Sequence, residues 1–131
     1  MTGEKRKSAV RKNKELVFTF VDAVNTGDTE KLASMTTDGF AFTDIAGDVY
    51  TVKGFSEKKK FWDDYIKNYP KYTIMIQTIL SGGTDIAFIG KTRDSHMPRS
   101  VEVNEILIWC AGIKDDKIAK WRIFSTEGFA F

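Results

Sequence analysis

Residues 25–50, NTGDTEKLASMTTDGFAFTDIAGDVY, pass from the end of one helix through a second helix to a strand and a turn. Gly27 is a natural residue to follow a helix end, and Asp28 a natural N-cap for a short helix, Thr29 to Met35. The sequence TTDG breaks that helix. A strand, FAFTDI, comes next; Ala46-Gly47-Asp48 supplies hairpin chemistry, and a second strand, VYTVK, follows. Strand side chains alternate with period two, so Phe40, Phe42 and Asp44 share a face. An acid beside two phenylalanines has two readings. Either Asp44 belongs to the turn, or it looks into an apolar cavity as a working group.

Upstream, the pattern is helical from about Ser8 to Thr26. Val17, Phe20, Val21 and Val24 follow the i, i+3, i+4, i+7 rule, and Leu16 and Ala23 widen the stripe. Downstream, Gly54 ends the hairpin, and a third helix runs from about Ser56, its expected cap, to Asn68. Phe61, Trp62, Tyr65, Ile66 and Tyr69 form its apolar face, with Lys58 oddly on the same side, and Pro70 stops it. Beyond Pro70 everything reads as strand: YTIMIQTIL, IAFIGKTR, VEVNEILIWCAGI and KIAKWRIFST. The loops between them are SGGTD, DSHMPRS and KDD.

This order, helices with a small hairpin and then a run of antiparallel strands, is α+β. A strongly curved antiparallel sheet wrapping N-terminal helices leaves a cone whose mouth is a usual ligand site. The last strands are apolar on both faces, so the outer sheet face needs cover; a second copy of the chain, giving a homodimer, is the economical answer. With no internal repeat and no low-complexity linker, residues 1–131 read as one domain.

Composition narrows the function classes. The 131 residues include ten Phe, three Trp and four Tyr, which favours bulky cores, pockets or interfaces. No apolar run approaches the roughly 18 residues that cross a bilayer, so no membrane partner is expected. The net charge of +2 hides an asymmetry. Residues 1–14 hold six Lys or Arg against one Glu, or +5, and the remainder is then −3. Residues 1–14 read as a basic helix start or tail; no aromatic side chain interleaves with the charges, so nucleic acid is not an expected partner. Glu15 and Asp22 bracket LVFTFV too closely for a secretory signal, and VNTGD reads as a helix end rather than a cleavage site. The single Cys110 cannot form an internal disulfide, in keeping with a reducing, cytoplasmic setting. There is no G-x-S-x-G elbow, P-loop or G-x-G-x-x-G, which disfavours serine hydrolases and nucleotide-dependent enzymes.

The segment from FVDAVNTGD through GFSEKKKFW resembles the signature of the nuclear transport factor two-like superfamily, especially its SnoaL-like and ketosteroid isomerase-like branch. The carrying features are the aromatic-rich helix ending in Asn25-x-Gly27-Asp28, the strand ending in Asp44, and Gly54 opening the next helix. KIAKWRIF resembles the closing strand of that family. The resemblance spans about residues 15–124 and implies the cone-shaped fold. It leaves activity open among isomerases, dehydratases, cyclases, epoxide hydrolases and pure binding or assembly modules. It also implies that Asp44 lies where ketosteroid isomerases keep their catalytic base. Their oxyanion-binding tyrosine falls here on Phe20, which has no hydroxyl. Their protonated acid should sit on VEVNEILIWC, with Asn104 and Glu105 as the nearby candidates.

The expected function is small-molecule binding. Cofactor-free proton transfer on an apolar carbonyl compound (isomerisation, dehydration or cyclisation) is one outcome, and a non-catalytic ligand-binding or assembly module is the alternative. In the catalytic reading Asp44 is the base, and Tyr65 or Glu105 stabilises the oxyanion. Glu105, on a strand face with Val103, Leu107 and Trp109, has alternatives: an arginine on the neighbouring strand, or a second subunit. The lone His96 is either a catalytic partner or an exposed loop residue. Phe20, Phe42, Trp62, Trp109 and Trp121 either line the pocket with Asn104 and His96 or are plain core. One His and one Cys make a zinc site improbable, and no metal or cofactor is expected. Phe129 and Phe131 of the terminal GFAF either cover the cone mouth, dock on another chain or are disordered.

Overall fold

A computed structural model describes residues 3–125, with residues 3–7 traced by their backbone alone. The alternatives for Phe129 and Phe131, covering the cone mouth, docking on another chain or disorder, fall on residues outside those described. The elements run α1 (Gly3–Thr26), α2 (Thr29–Met35), β1 (Thr36–Thr43), β2 (Val49–Val52) and α3 (Gly54–Asn68). Then come β3 (Thr73–Gly82), β4 (Asp85–Arg93), α4 (Arg99–Glu102), β5 (Leu107–Lys114) and β6 (Lys117–Ser125).

The NTGD stretch works as a stop, a reset and an anchor. Gly27 takes φ +70°, and two N–H groups turn back into α1, Asp28 to Ala23 O at 2.9 Å and Gly27 to Val24 O at 3.1 Å. This is the Schellman arrangement that satisfies the last carbonyls of a helix. Asp28 then caps α2 by accepting the Lys31 N–H at 3.1 Å. The Asn25 side chain reaches sideways to β3, accepting the Ile74 N–H at 2.7 Å and donating to Ile74 O at 3.0 Å. It thereby pairs with the start of β3 as a neighbouring strand would.

Several boundaries differ from the sequence reading. The helix expected from about Ser8 begins at Gly3. TTDG does not form a break; it opens β1 directly, because Thr36 Oγ1 donates to the Leu32 and Ala33 carbonyls and closes α2 without a loop. The buried Lys58 is explained at the same point, since its Nζ donates to Thr36 O at 2.8 Å. Ser56 is not the cap of α3. That helix starts at Gly54, whose N–H is taken by the Asp38 carboxylate, while Glu57 accepts the Lys53 N–H at 2.8 Å.

The largest difference is at residues 101–106, expected to be strand. There Pro98 O accepts the Val101 and Glu102 N–H groups at 2.9 Å and nucleates the short α4. The alternation of VEVNEI, so like a strand, leaves Val101, Val103 and Ile106 exposed instead. Glu105 consequently shares no strand face with Val103.

The sheet has the order β2-β1-β6-β5-β4-β3. It is mixed rather than wholly antiparallel, because β1 runs parallel to β6 while every other pair is antiparallel. Register shifts interrupt β1–β6, β3–β4 and β5–β6, and such irregularities are where sheets bend. At the shift in β3, Gly90 passes so close that a Cβ there would lie 2.2 Å from Met75 O. One sheet face is covered by α1 and α3, burying Phe40, Phe88, Trp109 and Trp121 against Phe20 and Trp62. Among the described residues no helix is long and apolar enough to cross a membrane.

Asn25→Ala removes both bonds to Ile74. It should destabilise the fold by about 1–3 kcal/mol, the cost typical of unpairing backbone groups, as measured by urea unfolding.

Candidate functional site

Asp44 is the first residue after β1, and the turn it begins is closed by its own atoms. Its N–H donates to Asp48 O at 3.0 Å, and its carbonyl accepts the Gly47 N–H at 3.0 Å. Its Oδ1 accepts the Asp48 N–H at 2.9 Å. The second carboxylate oxygen faces the Tyr50 hydroxyl at 3.4 Å. Asp44 therefore belongs to the turn, as the first of the two sequence readings has it, without leaving the inward face. One oxygen serves the turn, and the half-buried residue also lines a cavity of about 350 Å³.

That cavity opens between the β1–β2 turn, the C-terminal half of α3, the start of β3 and the loop after β4. Its wall includes Tyr50, Tyr65, Tyr69 and Tyr72, which are all four tyrosines of the chain. Phe42, Leu107 and Ile123 supply apolar wall; Thr92, Ser95, His96 and Met97, from the end of β4 and the loop after it, supply the rim. Tyr65 reaches the cavity because it lies one helical turn beyond Phe61, on the stripe that faces the sheet. Its ring meets Phe42 at 5.6 Å and Tyr72 at 5.6 Å.

Burial is the main cause that pushes the Tyr65 hydroxyl up to about 12, with the Asp44 charge adding in the same direction. Burial likewise raises Tyr72, followed by the influence of Tyr65. Tyr50 is raised first by the neighbouring charge of Asp44. At neutral pH these three phenols are protonated hydrogen-bond donors, and they line one cavity with Asp44.

Of the residues singled out by sequence, Asp44, Tyr65, Phe42 and His96 meet in this cavity. His96 is exposed and stands at the rim, its ring edge-on to Tyr69 at 6.4 Å. Phe20, Trp62, Trp109 and Trp121 are not in the wall; they are fully or almost fully buried behind it. Phe20 packs on Trp62 at 5.7 Å and Trp121 at 4.7 Å, and Trp109 stacks on Phe88 at 4.8 Å. Asn104 is exposed outside the wall, and Glu105 is buried with its carboxylate accepting the Ser125 hydroxyl. Sequence reasoning missed Tyr50, Tyr69 and Tyr72. Only the full fold brings a hairpin strand, a helix end and a strand start together. Among the described residues no group of three or more His, Cys, Asp or Glu is placed to hold a metal ion.

Residues 17–121 match the SnoaL-like domain family, and the chain belongs to that family. Solved structures agree on the fold. A candidate polyketide cyclase from Sinorhizobium meliloti is 21% identical, covering 83% of this chain and 93% of that one, with a TM-score of 0.67. A candidate SnoaL-like polyketide cyclase from Jannaschia sp. CCS1 is 13% identical over 93% of this chain and 90% of its own, with a TM-score of 0.69. A candidate ketosteroid isomerase from Kribbella flavida is 14% identical over 90% and 80%, with a TM-score of 0.68. No curated protein matches the sequence.

A tyrosine whose hydroxyl is raised by folding adds stability that is full below its ordinary value and is lost as pH rises through the folded one. Thermal melts should therefore fall between pH 10 and about 12, the ordinary and folded values of Tyr65. The fall should be smaller in Tyr65→Phe.

Proposed function

We propose that this SnoaL-like chain binds an apolar carbonyl compound in the Asp44 cavity and catalyses cofactor-free proton transfer on it. The observation that carries the reading is the pairing, in one hollow, of a carboxylate with protonated phenols. Asp44 removes a proton from the carbon next to the carbonyl. Tyr65, kept neutral by burial, donates a hydrogen bond to the oxygen on which charge develops. The same carboxyl then returns the proton to another carbon, so the net change is an isomerisation. Alternatively, proton removal precedes loss of a leaving group or ring closure within the same ligand. The volume lies at the small end of ligand pockets. Tyr65 stands in for the hydroxyl that Phe20 lacks.

Deuterium incorporation into a panel of cyclic ketones tests this. The wild type should exchange the α-hydrogens. Asp44→Asn should lose about 10²–10⁴-fold of the rate, and Tyr65→Phe about 10²–10³-fold. A non-catalytic binding module is favoured by one observation, the commitment of Asp44 Oδ1 to the Asp48 N–H. Thermal stabilisation by the ketones with no exchange would select it.

The sheet face that no described element covers supports a homodimer. Leu80, Ala87, Cys110 and Arg122 align across four strands, and Thr78, Ile89, Ile108 and Phe124 form the next row. Arg122 lies over the Phe124 ring at 4.5 Å, and Leu80 is 54% exposed. Sedimentation should give a dimer, and Ile108→Glu a monomer with unchanged circular dichroism.

A further inference from the structure

Glu102 lies outside the cavity wall, yet its carboxylate is tied to the wall's rim. It is 5% exposed. Its Oε2 accepts the Thr92 hydroxyl at 2.7 Å and the Ser95 N–H at 3.0 Å, and its Oε1 accepts the Asp94 N–H at 2.9 Å. Thr92 and Ser95 line the cavity, as do the next two residues, His96 and Met97. Ser95 passes the constraint on, since its Oγ accepts the Met97 N–H at 3.2 Å. The chain enters this loop through Asp94, held at φ 56°, a left-handed conformation uncommon for a residue with a side chain. Two successive N–H groups, from Asp94 and Ser95, then point at one buried carboxylate.

We propose that Glu102 is the positioning residue of the cavity rim: its carboxylate holds residues 94–97 in place, so that His96 and Met97 present a fixed edge to the ligand. The proposal rests on the reading of the Asp44 cavity as the ligand site. Hydrogen bonds to an ionised acceptor are about twice as strong as neutral ones, so a carboxylate suits the task better than an amide. Burial pushes the Glu102 carboxyl up, but the bonds from Ser95, Thr92 and Asp94 outweigh it and hold it below the usual value. The charged residues Lys91, Arg93, Asp94 and Arg99 line, together with Glu102 and Thr92, a second groove. Lys91 Nζ there donates to the carbonyl of the residue after Glu102, Val103, at 2.9 Å, fixing the same C-terminal end of α4 to β4. The backbone of the rim is thus referenced to the sheet through α4.

The test combines amide hydrogen exchange with binding of 1-anilinonaphthalene-8-sulfonate and a smaller apolar ligand, cyclohexanone. Glu102→Gln replaces one acceptor oxygen by a donor facing an N–H or O–H. Exchange at residues 94–97 should accelerate about tenfold or more, with β5 and β6 unchanged. Affinity should fall by about tenfold for the better-binding ligand and by less for the other, so that their ratio moves toward one, because a loosened rim no longer discriminates by size. Unchanged exchange at 94–97, or unchanged affinities and ratio, would overturn the proposal. If Glu102→Gln fails to fold, amide exchange at residues 94–97 in Thr92→Val and Thr92→Ser decides: Val, without the hydroxyl that Glu102 accepts, should accelerate it, and Ser, retaining that hydroxyl, should do so much less. Equal behaviour of the two would count against Glu102. A wild type that binds neither ligand removes the ligand-site reading instead, while exchange at 94–97 still reports on the clamp.

Discussion

The wedging of Trp62 between helix and sheet is the constraint on which the rest of this molecule depends. Its ring touches those of Phe20, Phe40, Phe42, Phe61 and Tyr65 at centroid distances between 5.1 and 5.9 Å. These rings come from α1, β1 and α3, so a single side chain sets the separation of three elements. Its indole N–H is buried without a hydrogen-bond partner. Such a group costs roughly 1–3 kcal/mol, an expense tolerated only where the packing around it is worth more. The aromatic mass fills the deep part of the space between helices and sheet. What remains open is the shallower part, walled by the next ring outward on α3, Tyr65.

The site inherits its chemistry from that division. Residues behind the Trp62 layer are apolar and sealed; residues in front of it carry hydroxyls and one carboxylate. Asp44 keeps one oxygen on the turn and turns the other toward Tyr50. The short β1–β2 turn therefore fixes the acid by backbone bonds rather than by a second charged group. At the loop after β4, Glu102 fixes the rim by the same kind of bond, a carboxylate receiving backbone N–H groups. Two acids thus do related mechanical work on two parts of one hollow, and only Asp44 faces into it.

Much of this was legible beforehand where a local rule was strong. The Gly27-Asp28 boundary, the short helix after it and the hairpin at Ala46-Gly47-Asp48 follow from cap and turn chemistry over a few residues. The inward set Phe40, Phe42 and Asp44 follows from period two. Residues 101–106 misled for a physical reason. Alternating valines carry the same pattern whether they line a strand or stud the surface of a helical turn, and Pro98 with the pull of Thr92 on Glu102 decided between them. The strand reading carried Glu105 and Asn104 with it. Three of the four wall tyrosines escaped notice, because no local pattern tells which sheet end a ring will face.

By itself the sequence determined the order and type of most elements, the helix stops, and the α+β class with its SnoaL-like resemblance, since each rests on contacts between near neighbours in the chain. Only the tertiary structure decided that β1 lies parallel to β6, that Phe20 and the tryptophans are sealed core, and that Asp44 shares a cavity wall with four tyrosines. Those outcomes depend on which distant surfaces pack together, and packing is a property of the assembled shape that no window of residues contains.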